Sequence, residues 1–164
     1  MAREATARLY DVDANSVVLK RLTQSGSYDT GTITFRAKQG KSVDLDKLHE
    51  SVWATRLSSG TKSGLVSFKV IAIGEVQVDG SAMFLNVEGS DDRFLLSEDP
   101  QRKRDDPKSQ SFAELRKAVN AGTKSIRVTG RLDGWAGRWP DVLRRMPPKP
   151  PRIFVTAFDP AERN

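Results

Sequence analysis

A chain of 164 residues that is 37% apolar can bury a modest core as one domain or two small ones, and no apolar run approaches the roughly 18 residues of a membrane-spanning helix. The absence of cysteine excludes a disulfide framework, a thiolate zinc site and a cysteine nucleophile. The net charge of +6 is unevenly placed: residues 1–100 carry 12 Lys or Arg against 14 Asp or Glu, and residues 101–164 carry 15 against 7, so the positive excess sits in the last third and suggests a polyanionic partner.

Met1-Ala2-Arg3-Glu4-Ala5 lacks the apolar stretch of a signal peptide. The cytoplasm is the default expectation, and an exported mature domain trimmed of its signal would read the same. Thr6–Tyr10, Ser16–Thr23 and Thr32–Arg36 read as short strands, with Asp13-Ala14-Asn15 and Ser25-Gly26-Ser27 as turns. A helix is predicted from Asp44, its N-cap, to about Leu57: Asp46 puts negative charge in the first turn, and Leu45, Leu48 and Val52 fall at i, i+3 and i+7.

Strand 31–36, helix 44–57 and the strand from Leu65 resemble the second half of a ferredoxin-like unit, as in heavy-metal-associated domains, over residues 31–73. That family holds its metal with Cys-x-x-Cys, which this chain lacks, so metal carriage does not transfer. Asp46, His49 and Glu50 share one side of the helix. Without a matching second cluster, the expectation is a surface histidine beside a carboxylate, and no metal or other cofactor is assigned.

From residue 64 the pattern changes. Val66, Phe68, Val70, Ala72, Gly74, Val76 and Val78 share one parity against Ser67, Lys69, Glu75 and Gln77, the period-2 signature of a long half-buried strand. Gly74 marks a bend or bulge that lets one strand serve two sheet surfaces. Asp79-Gly80 supplies a two-residue hairpin turn. A second strand alternates Met83, Leu85 and Val87 with Phe84, Asn86 and Glu88, and a third runs from Arg93 to Ser97.

Glu98–Gln110 is charged, contains Pro100 and Pro107, and reads as a mobile, solvated loop. Ser111-Phe112-Ala113-Glu114 is a capping box; Phe112, Leu115 and Val119 share a helix face, and Gly122 stands where a helix stops. The fourth strand turns Ile126, Val128, Gly130 and Leu132 inward. The fifth sets Ile153, Val155 and Ala157 against Phe154, Thr156 and Phe158. Long bent strand, strand, strand, helix, strand, strand resembles the five-stranded barrel of the OB-fold, in which a helix between strands 3 and 4 plugs one end. The expected fold class is α+β and mostly β: a small strand-helix part over residues 1–63, an OB-like barrel over 64–159 and a tail over 160–164.

No Gly-x-Ser-x-Gly elbow accompanies the single histidine, and neither a phosphate loop nor a dinucleotide fingerprint is present, so no enzyme is expected. Asp91-Asp92 and Asp105-Asp106 lie in turn-like or highly charged stretches, where carboxylates stay solvated. Between the last two strands Asp133–Arg152 is too long for a hairpin; Pro140 can open a short helix through Arg145, and Pro147, Pro148, Pro150 and Pro151 favour an extended polyproline spacer. Pro147–Arg152 also fits a Pro-x-x-Pro-x-Arg ligand of an SH3-type groove.

Arg131, Trp135, Arg138, Trp139, Arg144, Arg145 and Lys149, with Phe84 outward on the second strand, combine cations for phosphate with aromatic faces for bases. The resemblance to OB-folds implies that loops of this kind bind single-stranded nucleic acid. The alternative is that Trp135, Trp139, Val142 and Leu143 pin the loop to the barrel. Two functions remain open: a non-enzymatic module for single-stranded nucleic acid or another polyanion, and a structural or protein-interaction module, for instance an accessory part of an envelope or transport system.

Overall fold

In the computed structural model the described residues are 7, 18–21, 31–34, 42, 47, 48, 54, 68–100, 112–133 and 149–161. The chain divides into two units, Met1–Leu65 and Val66–Asn164.

In the first unit, β1 (Val18–Arg21) and β2 (Gly31–Thr34) form an antiparallel two-stranded sheet with Val18 opposite Thr34 and Arg21 opposite Gly31. Lys47, Leu48 and Ala54 are helical, with Leu48 buried and the other two exposed, as an amphipathic helix requires. Ala7 is helical and buried, which corrects the expected strand at Thr6–Tyr10. Residues 1–10 contain one β-branched side chain, Thr6, among good helix formers, so propensity outweighs a short apolar alternation. The ferredoxin-like reading also needs correction. It places strand 31–36 and the strand from Leu65 in one sheet, whereas β2 pairs with β1 and the later strand belongs to a separate sheet.

The second unit contains β3 (Lys69–Asp79), β4 (Ala82–Val87), β5 (Arg93–Glu98), α1 (Phe112–Asn120), β6 (Ser125–Leu132) and β7 (Arg152–Pro160). The five strands form a mixed sheet in the order β3-β4-β5-β7-β6, and β6 pairs back onto β3, so the sheet closes in a ring. All pairings are antiparallel except β5 with β7. This arrangement is compatible with an OB-like fold.

Closure depends on β3 serving two neighbours. Lys69–Glu75 pairs with β6 and Gly74–Asp79 with β4, so Gly74 and Glu75 belong to both ladders. A Cβ on Gly74 would run into the carbonyl of Asn86, and only glycine permits that approach. The hairpin that follows is displaced by one residue from the expected Asp79-Gly80 turn. Asp79 still pairs with Ala82, and Gly80-Ser81 makes the reversal with Gly80 at φ +57°, a conformation that glycine adopts without strain.

Alternation fills the interior: Met83 and Leu85 on β4, Phe94 and Leu96 on β5, and Ile126, Val128 and Leu132 on β6 are all buried. On β7 the alternation breaks. Thr129 faces Ala157 and Gly130 faces Val155, leaving Thr156 as an extra residue. Its hydroxyl donates to the carbonyl of Thr129 at 3.1 Å. Ile153 and Val155 are buried before this bulge and Phe158 after it, the change of parity that one inserted residue imposes.

Helix α1 connects β5 to β6 at the end of the ring that carries the β3–β4 turn. Leu115 is completely buried, Phe112 and Val119 half-buried, and the Arg116 guanidinium donates to the carbonyl of Ser81 at 2.7 Å. The helix stops as its glycine predicts. Gly122 takes φ +102°, its N–H bonds the Val119 carbonyl at 3.0 Å, and the Thr123 N–H bonds the Ala118 carbonyl at 3.1 Å. This pair of bonds is a Schellman motif. Ser111, the expected cap, lies outside the described residues.

Gly74→Ala is expected to destabilise the second unit by about 3 kcal/mol through backbone collision, and Gly122→Ala by about 1 kcal/mol through its left-handed backbone. Urea unfolding of the two variants checks the ranking; an equal or smaller loss at Gly74 would contradict the shared-ladder account.

Candidate ligand-binding face

With Met83, Leu85, Phe94 and Leu96 facing in, the pleat turns Phe84, Asn86, Arg93 and Leu95 outward. Register then sets their spacing. Gln77 lies opposite Phe84, Phe84 opposite Leu95, and Leu95 beside Arg152, giving a row across β3, β4, β5 and β7; Glu75, Asn86 and Arg93 form the adjacent row. Phe84 and Arg93 are therefore diagonal neighbours, and the guanidinium carbon of Arg93 stands 4.0 Å from the centre of the Phe84 ring. At this exposed site the cation–π attraction contributes about 0.5–1 kcal/mol, enough to orient the arginine and weak enough for a ligand to displace it.

Arg131 is differently engaged. It forms an ion pair with Asp99 at 3.0 Å, with the two side chains 16% and 10% exposed, and its guanidinium lies 4.9 Å from the centre of the Phe154 ring. This lid explains why Phe154 is buried although its neighbours Ile153 and Val155 take the inward positions. The charge of Arg131 is thus compensated within the ring. Arg152 pairs with Asp133 at 3.4 Å, and the backbone N–H of Asp133 donates to the carbonyl of Arg152 at 2.9 Å. These bonds bring together the two ends of the long β6–β7 connection. The N–H of Leu95 donates to the carbonyl of Pro151 at 2.9 Å, which sets the returning end of that connection beside the Phe84 row. Lys149, two residues before Pro151, is exposed.

Of the residues expected to bind a polyanion, Phe84 is half-buried on the outer face, Lys149 is exposed two residues before Pro151, and Arg131 lies in the ion pair over Phe154. Trp135, Arg138, Trp139, Arg144 and Arg145 lie outside the described residues, as do Asp46, His49, Glu50, Asp105 and Asp106. Among the described residues no group of three or more His, Asp or Glu is placed to hold a metal ion, and no described helix is long and apolar enough to cross a membrane. Asp91 and Asp92 sit in the β4–β5 turn, where the N–H of Val87 donates to the carbonyl of Asp92 at 2.9 Å.

Arg93 is the residue that sequence reasoning missed. Its position follows from the hairpin register: the N–H of Val87 bonds Asp92 across a turn over residues 88–91, which sets Asn86 against Arg93, and the diagonal of an antiparallel pair then brings Arg93 to Phe84. No protein-family model, curated protein or solved structure matches this chain.

In a double-mutant cycle of Arg131→Leu and Asp99→Leu, read by thermal or urea unfolding, the coupling is expected between about 1 and 3 kcal/mol, because each group is largely withdrawn from water. Strictly additive losses would show that the pair is only a solvated contact.

Proposed function

We propose that this chain is a non-enzymatic binding module, an OB-like barrel that engages single-stranded nucleic acid on the outer face of β4 and β5. The observation that carries this reading is the Phe84 ring with Arg93 stacked on it at 4.0 Å. An aromatic face accepts a base of any sequence, and the arginine that covers it is released to a phosphate when the base takes its place. The charges beside this pair are asymmetric. Glu75 and Asp79 lie on the β3 side, while Arg93 and Lys149 lie on β5 and just before β7, so the phosphates track along β5–β7 and the bases point toward Phe84. The segment between Asp133 and Lys149, which starts and returns beside this row, adds Trp135, Arg138, Trp139, Arg144 and Arg145 to the same reading.

A protein-interaction module is the second reading. It draws support from Ile71, 71% exposed on β3, and from the internal compensation of Arg131 by Asp99; both features suit a surface that meets another protein.

Binding to a short oligodeoxynucleotide is expected to weaken with salt, the logarithmic slope being about −0.7 for each phosphate neutralised. Phe84→Ala should lower affinity by about 1–3 kcal/mol, the worth of one stacked base, while Arg93→Gln should flatten the salt slope by about 0.7. Fluorescence anisotropy measures all three. An oligonucleotide that fails to bind at low ionic strength, or binds wild type and Phe84→Ala alike, would favour the second reading.

A further inference from the structure

On the inner side of the same strand pair, Val78, opposite Met83, has the parity of the inward-facing set on β3, yet 49% of its surface is exposed. Helix α1 buries its own Leu115 completely but stops at Asn120, and Val78 to Ser81 at the β3–β4 turn stay exposed. The result is a cleft of about 190 Å³, lined among the described residues by Val78, Gly80, Ser81, Met83, Arg116 and Asn120. Its floor is apolar, formed by Val78 and the buried Met83. Its rim is polar, and its cation is held in place: Arg116 donates one N–H to the Ser81 carbonyl at 2.7 Å and lies 5.5 Å from the centre of the Phe112 ring. A guanidinium so braced has further N–H donors in a fixed fork, the geometry that a carboxylate matches with two parallel bonds.

We propose that this cleft captures the C-terminal residue of a peptide ending in an aliphatic side chain, with the α-carboxylate on Arg116 and Asn120 and the side chain on Val78 and Met83. Size, charge and polarity all support this occupant. The volume is below the roughly 300 Å³ at which small-molecule sites begin and suits one aliphatic residue. The single cation among the described lining residues matches a single negative charge, whereas a nucleic-acid backbone would call for a row of cations. Capture of a terminal carboxylate is an established mode of peptide recognition. Asp79, the acid nearest in sequence, has the opposite strand parity from Val78 and does not line the cleft. The site is separate from the Phe84 face and does not depend on the nucleic-acid reading.

The test is an amide-NMR titration of the full chain with N-acetyl-Ala-Leu as free acid and as C-terminal amide. The free acid should shift the resonances of Val78, Ser81, Arg116 and Asn120 and saturate in the millimolar range. The amide should bind about tenfold more weakly, as should the acid to Arg116→Gln, for loss of a charge-assisted bond worth about one decade in affinity. Asn120→Ala, at an exposed helix end, provides a second variant whose folding is not at stake and should weaken binding several-fold. Equal binding of acid and amide, shifts confined to other residues, or no shifts at all would overturn the proposal. An oligonucleotide titrated into the same sample should leave these four resonances in place; if it moved them instead, the cleft would belong to a polyanion and the peptide assignment would fall.

Discussion

The second unit is organised by a backbone contact rather than by a side chain. At Gly74 the chain comes so close to the Asn86 carbonyl that no Cβ fits, and at that point one strand passes from the β6 ladder to the β4 ladder. Every other element follows from it. With β3 shared, β4 and β5 can follow as a meander, α1 can cross one end, and β6 can return to the free half of β3. Because β7 lies between β5 and β6, the sheet retains no unpaired neighbour position in its order. The interior then fills by simple alternation.

The same closure positions the outer face. Pleat and register alone bring Phe84, Leu95 and Arg152 into one row and set Arg93 diagonally over the aromatic ring. The two arginine–phenylalanine stacks on the outside of the ring have opposite character. Arg93 lies exposed over a half-buried ring, while Arg131 is fastened by Asp99 and seals Phe154 from water. One stays at the surface; the other completes the packing of the sheet. Identical residue types thus divide into an exposed surface stack and a piece of the fold, and the distinction lies in the carboxylate beside the second one.

Much of this ring was legible from residue order. The parity of β4 and β6, the role of Gly74, and the glycine stop after α1 follow from side-chain period and backbone sterics, which act locally. What could not be read was non-local or cooperative. The inserted residue at Thr156 reverses the parity of β7 without leaving a mark on composition, because Thr156 is an ordinary strand former. The Gly80-Ser81 reversal differs from Asp79-Gly80 by a single step that pairing across the hairpin decides. At Ala7 an apolar alternation too short to outweigh propensity suggested a strand in a helical position. Of the candidate site, Phe84 was read correctly as outward, but the engagement of Arg131 by Asp99, 32 residues apart, arises only when β5 and β6 both meet β7.

The parallel pairing of β5 with β7 has a consequence for how the chain comes into being. Leu95 waits for Arg152, and Glu98 for Val155, so a nascent polypeptide that has emerged as far as Leu132 holds a curved four-strand sheet with two bare edges and a half-covered apolar lining. Such edges invite association with other chains. The last strand of the ring acts as the stave that shuts the cask, and until it arrives the apolar lining depends on dilution, on charge repulsion among neighbouring molecules, or on a chaperone to avoid such association.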